Sequence, residues 1–168
     1  MSAIRASLYA LVGRELAARA VMRRANRFFY DSVEEGRYVT LFYAVLDVPS
    51  RRMIYVNAGH PPPVVLRENG EIEALESGGV PLGMFETPRY FEGFAGLEEG
   101  DLVVFYTDGI VESSNAHDEH YGRVRLMTTL GGVRTQSAEA ICRHVMDDVR
   151  SFSFGSQDDR TLLVLKAT

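Results

Sequence analysis

The stretch LVVFYTDGIVE (Leu102–Glu112) runs from apolar residues straight into an acid and a glycine. The apolar part reads as a β-strand that ends at the Asp-Gly pair. Asp108-Gly109 is ordinary turn chemistry, because glycine tolerates positive φ and aspartate bonds its own backbone. A second acidic pair, Asp158-Asp159, lies near the C-terminus and leads into another apolar run, TLLVLK. The two acidic corners are either separate turns or two halves of one site. On spacing alone a turn is the plainer reading of each.

Upstream of this stretch the pattern is mostly that of strands. YVTLFYAVLDV (38–48) is apolar at both alternating sets of positions, which predicts a strand covered on both faces. PSRR turns the chain, and MIYVNAG (53–59) is its hairpin partner. Pro61, Pro62 and Pro63 exclude a helix. VVLR and EIEAL flank ENG, a second hairpin signal. GGVPLGMF reads as a glycine-rich loop, followed by a strand near Arg89 to Phe94.

Downstream the period changes from 2 to 3.6 residues. Helices are predicted over 111–114, 124–129 and 137–152, the last capped by Ser137, with a final strand over 160–166. At the N-terminus Ile4, Leu8, Leu11 and Val12 follow helical spacing, with Ser2 as a cap. Gly13 interrupts, and Leu16, Ala20, Met22 and Phe28 carry the period to about Tyr30. Helices, a run of strands, helices and one strand predict an α+β fold with antiparallel sheets.

A chain of 168 residues has the size of one domain, here taken as 1–168. Its 46% apolar and 24% charged residues fit a globular protein, and the net charge of −5 offers no nucleic-acid footprint. Arg19, Arg23, Arg24 and Arg27 read as a solvated helix face. Cys142, the single cysteine, sits in a helical pattern as a buried or half-buried thiol, which fits a reducing cytoplasm. No stretch approaches the ~20 apolar residues of a membrane span, and the N-terminus lacks a signal-peptide cleavage site.

Carboxylates at the ends of neighbouring buried strands can converge on a divalent cation. Oxygen-only donors suit Mg²⁺ or Mn²⁺ with retained waters, and such an ion acidifies a bound water and neutralises phosphoryl oxygens. Competing chemistries fail on spacing. His60, His117, His120 and His144 include one HxxH pair but no HExxH and no cysteine partner for zinc. There is no GxSxG elbow, and GGVPLG lacks the lysine and helix of a phosphate loop.

Five segments occur in order: YVNAGHPPPVVLRENGEIEAL, GGVPLGMF, LEEGDLVVFYTDGIVES, HYGRVRL and QDDRTLLVL. Together they resemble the SpoIIE-like branch of the metal-dependent (PPM) serine/threonine protein phosphatases of bacteria, over nearly the whole chain. The resemblance turns the shared-site reading of the acids from the minority view into the favoured one. It implies a sandwich of two antiparallel β-sheets flanked by helices, and two Mn²⁺ or Mg²⁺ ions with a bridging water that attacks phosphoserine or phosphothreonine. By this resemblance Asp108 of the TDG motif and Asp158 of the DD-x-T motif are metal ligands and catalytic through metal-bound water. Asp159 is the least favoured of the three metal candidates, and Thr161 holds that corner or is a plain strand residue.

Other motif residues read as structural. Asn57, Gly59 and His60 belong to a tight turn, with substrate binding as the second reading of Gly59 and His60. Glu112 reads as a helix-start acid, Pro81-Leu82-Gly83 as a loop packing on the sheets, and Tyr121 and Gly122 as packing and turn positions.

The family carries a D-x-S-G-x-G segment ahead of its first helix, whereas this chain opens on MSAIRASLYAL, which resembles that helix. The expectation is thus a domain incomplete at its N-terminus, without the first strands and first metal acid. Uncovered sheet edges would favour a homodimer or strand exchange. The resemblance also implies a phosphorylated regulatory partner of the anti-sigma-factor-antagonist type and an upstream sensor or receiver domain, with regulation entering through residues 2–30. The alternative is a non-catalytic binding or regulatory module that keeps the phosphatase fold.

Overall fold

The computed structural model describes residues 17–32, 36–155 and 158–168. The helix expected over 2–12 and the interruption at Gly13 lie outside these residues. The chain divides into two compact units, one of residues 1–60 and 75–97 and the other of 61–74 and 98–168.

In the first unit, helix α1 (Ala18–Ser32) buries Val21, Met22, Ala25 and Phe29, while Arg19, Arg23, Arg24 and Arg27 stay exposed as expected. The apolar stripe runs through Phe29 and not Phe28, which stays exposed and meets Phe29 edge-on at 5.6 Å. Strands β1 (Leu41–Asp47) and β2 (Arg52–Ala58) form the expected hairpin, in register from Leu41↔Ala58 to Asp47↔Arg52. Its turn places Arg51 in the left-handed region. The expectation that 38–48 is covered on both faces fails. Helix α1 packs on Leu41 and Tyr43, but Val45 is exposed, and the deeply buried strand is β2.

β2 is buried because it has neighbours on both sides. Within the segment read as a loop, Gly78–Gly79 forms a short parallel strand β3 beside Asn57 and Ala58. Only glycine fits there, since a Cβ on Gly78 would lie 1.8 Å from the Asn57 carbonyl oxygen. The strand expected at 89–94 is shifted to Gly93–Gly96 (β4), paired with Arg52–Tyr55. It starts at Gly93, where a Cβ would meet the Tyr55 ring at 2.2 Å. Leu82 of the Pro-Leu-Gly loop is fully buried, in keeping with its packing role. Asn26, itself buried, secures that loop: its Nδ2 donates to the carbonyls of Phe85 (2.9 Å) and Glu86 (3.2 Å), and its Oδ1 accepts from the Gly83 N–H (3.0 Å).

In the second unit, β5 (Val64–Leu66) and β6 (Ile72–Ala74) form the hairpin across ENG. Next come β7 (Leu102–Tyr106), α2 (Asp108–Val111), α3 (Gly122–Val133), α4 (Ala138–Phe152) and β8 (Leu162–Lys166). The sheet order is β6-β5-β7-β8, antiparallel throughout. The helix expected at 111–114 begins three residues earlier, on Asp108, and the one expected at 124–129 extends to Val133. Ser137 caps α4, accepting from the Ala140 N–H at 3.2 Å. Val64, Leu102, Val104, Leu126, Leu130, Ile141 and Val145 form one buried cluster. Leu126→Ala would therefore lower stability by about 2–5 kcal/mol, measured by urea denaturation.

Helices α3 and α4 are also tied by polar contacts. Asp148 of α4 accepts from the Tyr121 hydroxyl at 2.6 Å and the Thr129 hydroxyl at 3.0 Å, and pairs with Arg125 at 3.2 Å. Arg125 stacks over Phe152, with its guanidinium 4.6 Å from the ring centre. Burial opposes ionisation of Asp148, but the donors Arg125, Tyr121 and Thr129 outweigh it and hold the carboxyl below its ordinary pKa. Burial, reinforced by Asp148, pushes Tyr121 up to about 12. Cys142 is a half-buried free thiol, as expected. No helix of the described residues is long and apolar enough to cross a membrane. Because the folded carboxyl is depressed, its stabilisation is present above about pH 4 and lost as pH falls below that. Asp148→Asn should thus lower the melting temperature at pH 7 and flatten the acid limb of the stability curve, measured by thermal melts from pH 2 to 7.

Candidate functional site

β7 carries buried Leu102, Val103, Val104 and Tyr106 up to Thr107, which is extended (φ −89°, ψ 160°) and is the N-cap of α2. The ladder with β8 runs to Tyr106↔Leu162. One bond further, the Thr107 N–H donates to the Thr161 carbonyl at 3.1 Å. The reciprocal bond is different: the Thr161 N–H donates to the Thr107 hydroxyl at 2.9 Å. The Thr107 carbonyl instead accepts from the Ile110 N–H at 3.1 Å, within the first turn of α2.

The same hydroxyl donates to the Asp159 carbonyl at 3.3 Å. Gly109 completes the junction. A Cβ there would lie 2.3 Å from the Asp159 carbonyl oxygen and 3.5 Å from the Asp158 carbonyl carbon, so only glycine permits this approach. The two acidic corners are therefore in direct contact and are halves of one structural feature. Their carboxylates are built alike: Asp108 Oδ1 accepts from the Gly109 N–H at 3.0 Å, and Asp158 Oδ1 from the Asp159 N–H at 2.8 Å. Asp108, Asp158 and Asp159 are all exposed, and none of them forms an ion pair among the described residues.

Beside this junction lies a cavity of about 540 Å³, lined in part by Gly109, Glu112, Ser113, Asn115, Asp118 and Asp158. Buried Ser113 donates to the Gly109 carbonyl at 2.6 Å and fixes one wall. The loop after it is held by Asn115, whose Oδ1 accepts from the N–H groups of His117 (2.9 Å) and Glu119 (3.1 Å). Asp118 occupies the left-handed region (φ 59°) in this loop. Three carboxylates in its lining, Glu112, Asp118 and Asp158, give the cavity a negative field that attracts cations.

Among the described residues no three His, Cys, Asp or Glu side chains are grouped closely enough to hold a metal ion. The donors present are carboxylate, hydroxyl and carbonyl oxygens. They fit a hard cation such as Mg²⁺ or Mn²⁺, which binds through one or two carboxylates and keeps several waters.

Several sequence expectations change here. Glu112 is the C-cap of α2 rather than a helix-start acid, its N–H donating to the Asp108 carbonyl at 2.8 Å. Thr161 holds the corner through its backbone; the side chain that does so is Thr107, which the sequence reading did not single out. Its signal was available as a hydroxyl residue between the end of a strand and Asp-Gly. Gly59 and His60 form the expected tight turn, with Gly59 at φ 72° and the Asn57 side chain bonded to both the His60 N–H (2.8 Å) and the His60 carbonyl (2.9 Å). They belong to the first compact unit, while the acidic corners belong to the second. Tyr121 is buried and Gly122 has φ 75°, a packing and a turn position as expected, though Tyr121 also serves Asp148.

The family pattern of Stage II sporulation protein E (SpoIIE) matches residues 1–168 of this chain. The phosphoserine phosphatase RsbU of Bacillus subtilis is 26% identical over 168 residues, covering 99% of this chain and 50% of RsbU. The chain thus spans about half the length of that relative. The structure of the PP2C phosphatase domain of SpoIIE with a fragment of its regulatory domain, from Bacillus subtilis, superposes with a TM-score of 0.82 at 19% identity, over 98% of this chain and 48% of that one. The SiaA-PP2C domain of Pseudomonas aeruginosa gives 0.85 at 14% identity, over 98% and 68%. These likenesses establish a PP2C-type fold.

The contact at Gly109 carries a local prediction. Gly109→Ala drives a methyl group into the Asp159 carbonyl and should cost about 1–3 kcal/mol, measured by thermal or urea unfolding.

Proposed function

The chain belongs to the Stage II sporulation protein E (SpoIIE) family, and from that membership we propose that it is a Mn²⁺- or Mg²⁺-dependent protein serine/threonine phosphatase domain of bacterial signalling. The observation that carries the reading is the locked contact between the two acidic corners, Asp108-Gly109 and Asp158-Asp159. Asp108 and Asp158 hold the cation, with Asp159 as the lesser candidate. A bound ion supplies Lewis acidity toward a phosphoryl oxygen and lowers the pKa of a coordinated water.

The protein's own part is to hold these acids at the ends of two paired strands, of which β7 is buried, so that little reorganisation is needed on binding. The acidic lining residues Glu112, Asp118 and Asp158 disfavour a phosphate group by themselves, so substrate binding depends on the cation. The proposed substrate is a small regulatory protein phosphorylated on serine or threonine, of the anti-sigma-factor-antagonist type. The proposal includes Gly59 and His60 as substrate contacts, an upstream sensor or receiver domain, self-association as a homodimer, and a cytoplasmic setting in which Cys142 stays reduced.

The test is phosphate release from a phosphoserine form of such a protein in Mn²⁺. EDTA, Asp108→Asn and Asp158→Asn should each reduce turnover by about 100-fold or more, the several kcal/mol that metal assistance supplies. Turnover unchanged by all three would overturn the assignment. A folded chain that binds the phosphoprotein without releasing phosphate would replace it with the binding-module reading.

A further inference from the structure

We propose that Thr107 is a positioning residue whose hydroxyl sets the spacing of Asp108 and Asp158 for cation binding. The inference rests on the site reading above and goes beyond it, because Thr107 contributes through other residues and not as a ligand.

A threonine at the N-cap of a helix ordinarily turns its hydroxyl onto the first turn, accepting from a free backbone N–H. Thr107 makes no such side-chain cap bond to α2. Its hydroxyl has one donor hydrogen and two acceptor lone pairs. The hydrogen is directed to the Asp159 carbonyl at 3.3 Å, and one lone pair takes the Thr161 N–H at 2.9 Å. Both bonds cross from the end of β7 to the segment that leads into β8. Neither supports the helix that follows.

The crossing stands where the backbone bond is missing. In an antiparallel ladder the Thr161 N–H would be received by a main-chain carbonyl opposite. The chain turns into α2 at this residue, and the Thr107 carbonyl goes with it, accepting from the Ile110 N–H at 3.1 Å and not from the Thr161 N–H. The hydroxyl takes the place of that carbonyl and extends the pairing one step beyond Tyr106↔Leu162. That extra step carries Asp108 on one side and Asp158-Asp159 on the other. Gly109 sets the lower limit of their approach, because its missing Cβ would sit 2.3 Å from the Asp159 oxygen. Thr107 sets the upper limit. The pair acts as a clamp around two exposed carboxylates that otherwise make only short-range bonds to their own neighbours.

Thr107→Val tests this directly, because valine keeps the branched shape and the extended backbone but removes both bonds. Thr107→Ser restores the hydroxyl, and Thr107→Ala provides a second hydroxyl-free variant. Mn²⁺ affinity is read by the electron paramagnetic resonance of free Mn²⁺, and hydrogen exchange of the Thr161 amide is followed in metal-free protein. Loss of a partner that orients a ligand typically weakens metal binding by about 10–100-fold. Thr107→Val and Thr107→Ala should show that loss together with faster Thr161 exchange, and Thr107→Ser should restore both. Wild-type binding matched by Thr107→Val would overturn the positioning role alone. A wild-type titration no different from that of Asp108→Asn would remove the site itself, and this proposal with it.

Discussion

The antiparallel ladder between β7 and β8 is the constraint on which the candidate site depends. Tyr106 and Leu162 are its last paired strand residues, and the bonds between Thr107 and Thr161 carry it to the point where both strands meet their acids. A carboxylate on an isolated turn would sample many directions. Here each acid is within a residue or two of a hydrogen bond whose position is set by a buried strand, and β7 is buried along most of its length. Rigidity inherited from the sheet is what makes two exposed side chains a candidate site at all.

Each compact unit contains polar side chains whose hydrogen-bond networks support the elements around them. In the second unit Asp101 is almost fully buried, accepts from the backbone N–H groups of Glu68 (3.2 Å) and Glu98 (2.9 Å), and pairs with Arg67 at 2.7 Å. Arg67 also pairs with Glu73 of β6. The turn before β7 is therefore fixed by a charge whose acceptors are met, in place of an apolar contact. Asp148 does comparable service between α3 and α4, and Asn26 does so in the first unit. A buried polar group with its partners in place specifies a particular arrangement, because leaving it unpaired costs more than losing a similar apolar contact.

Much of this was legible in the sequence where local chemistry decides the outcome. The hairpins at PSRR and ENG, the strand ending at TDG, the Ser137 cap and the turn at Asn57-Gly59-His60 all rest on neighbouring residues, and the structure places them as expected. Less legible was whatever depends on which segment lies alongside. Gly78 and Gly79 look like loop residues because glycine has low strand propensity, yet they pair with β2 because the Asn57 backbone comes too close for any side chain. The choice of Phe29 over Phe28 for burial, and the exposure of Val45 in an apolar strand, likewise follow from where α1 lies on the sheet.

The candidate site divides in the same way. The residue types at each corner, an acid beside a glycine and an acid beside an acid, are local chemistry, and the sequence alone determined that each could turn the chain and offer oxygen donors to a hard cation. Whether the corners meet is a matter of strand pairing across more than fifty residues (52 between Thr107 and Asp159). No periodicity encodes that distance, so on spacing alone two separate turns were the plainer reading. Only the tertiary structure decided that Gly109 lies against the Asp159 carbonyl and that the Thr107 hydroxyl joins the two corners. The physical reason is that these contacts arise from register and close backbone approach, which belong to the packed sheet and not to any one segment.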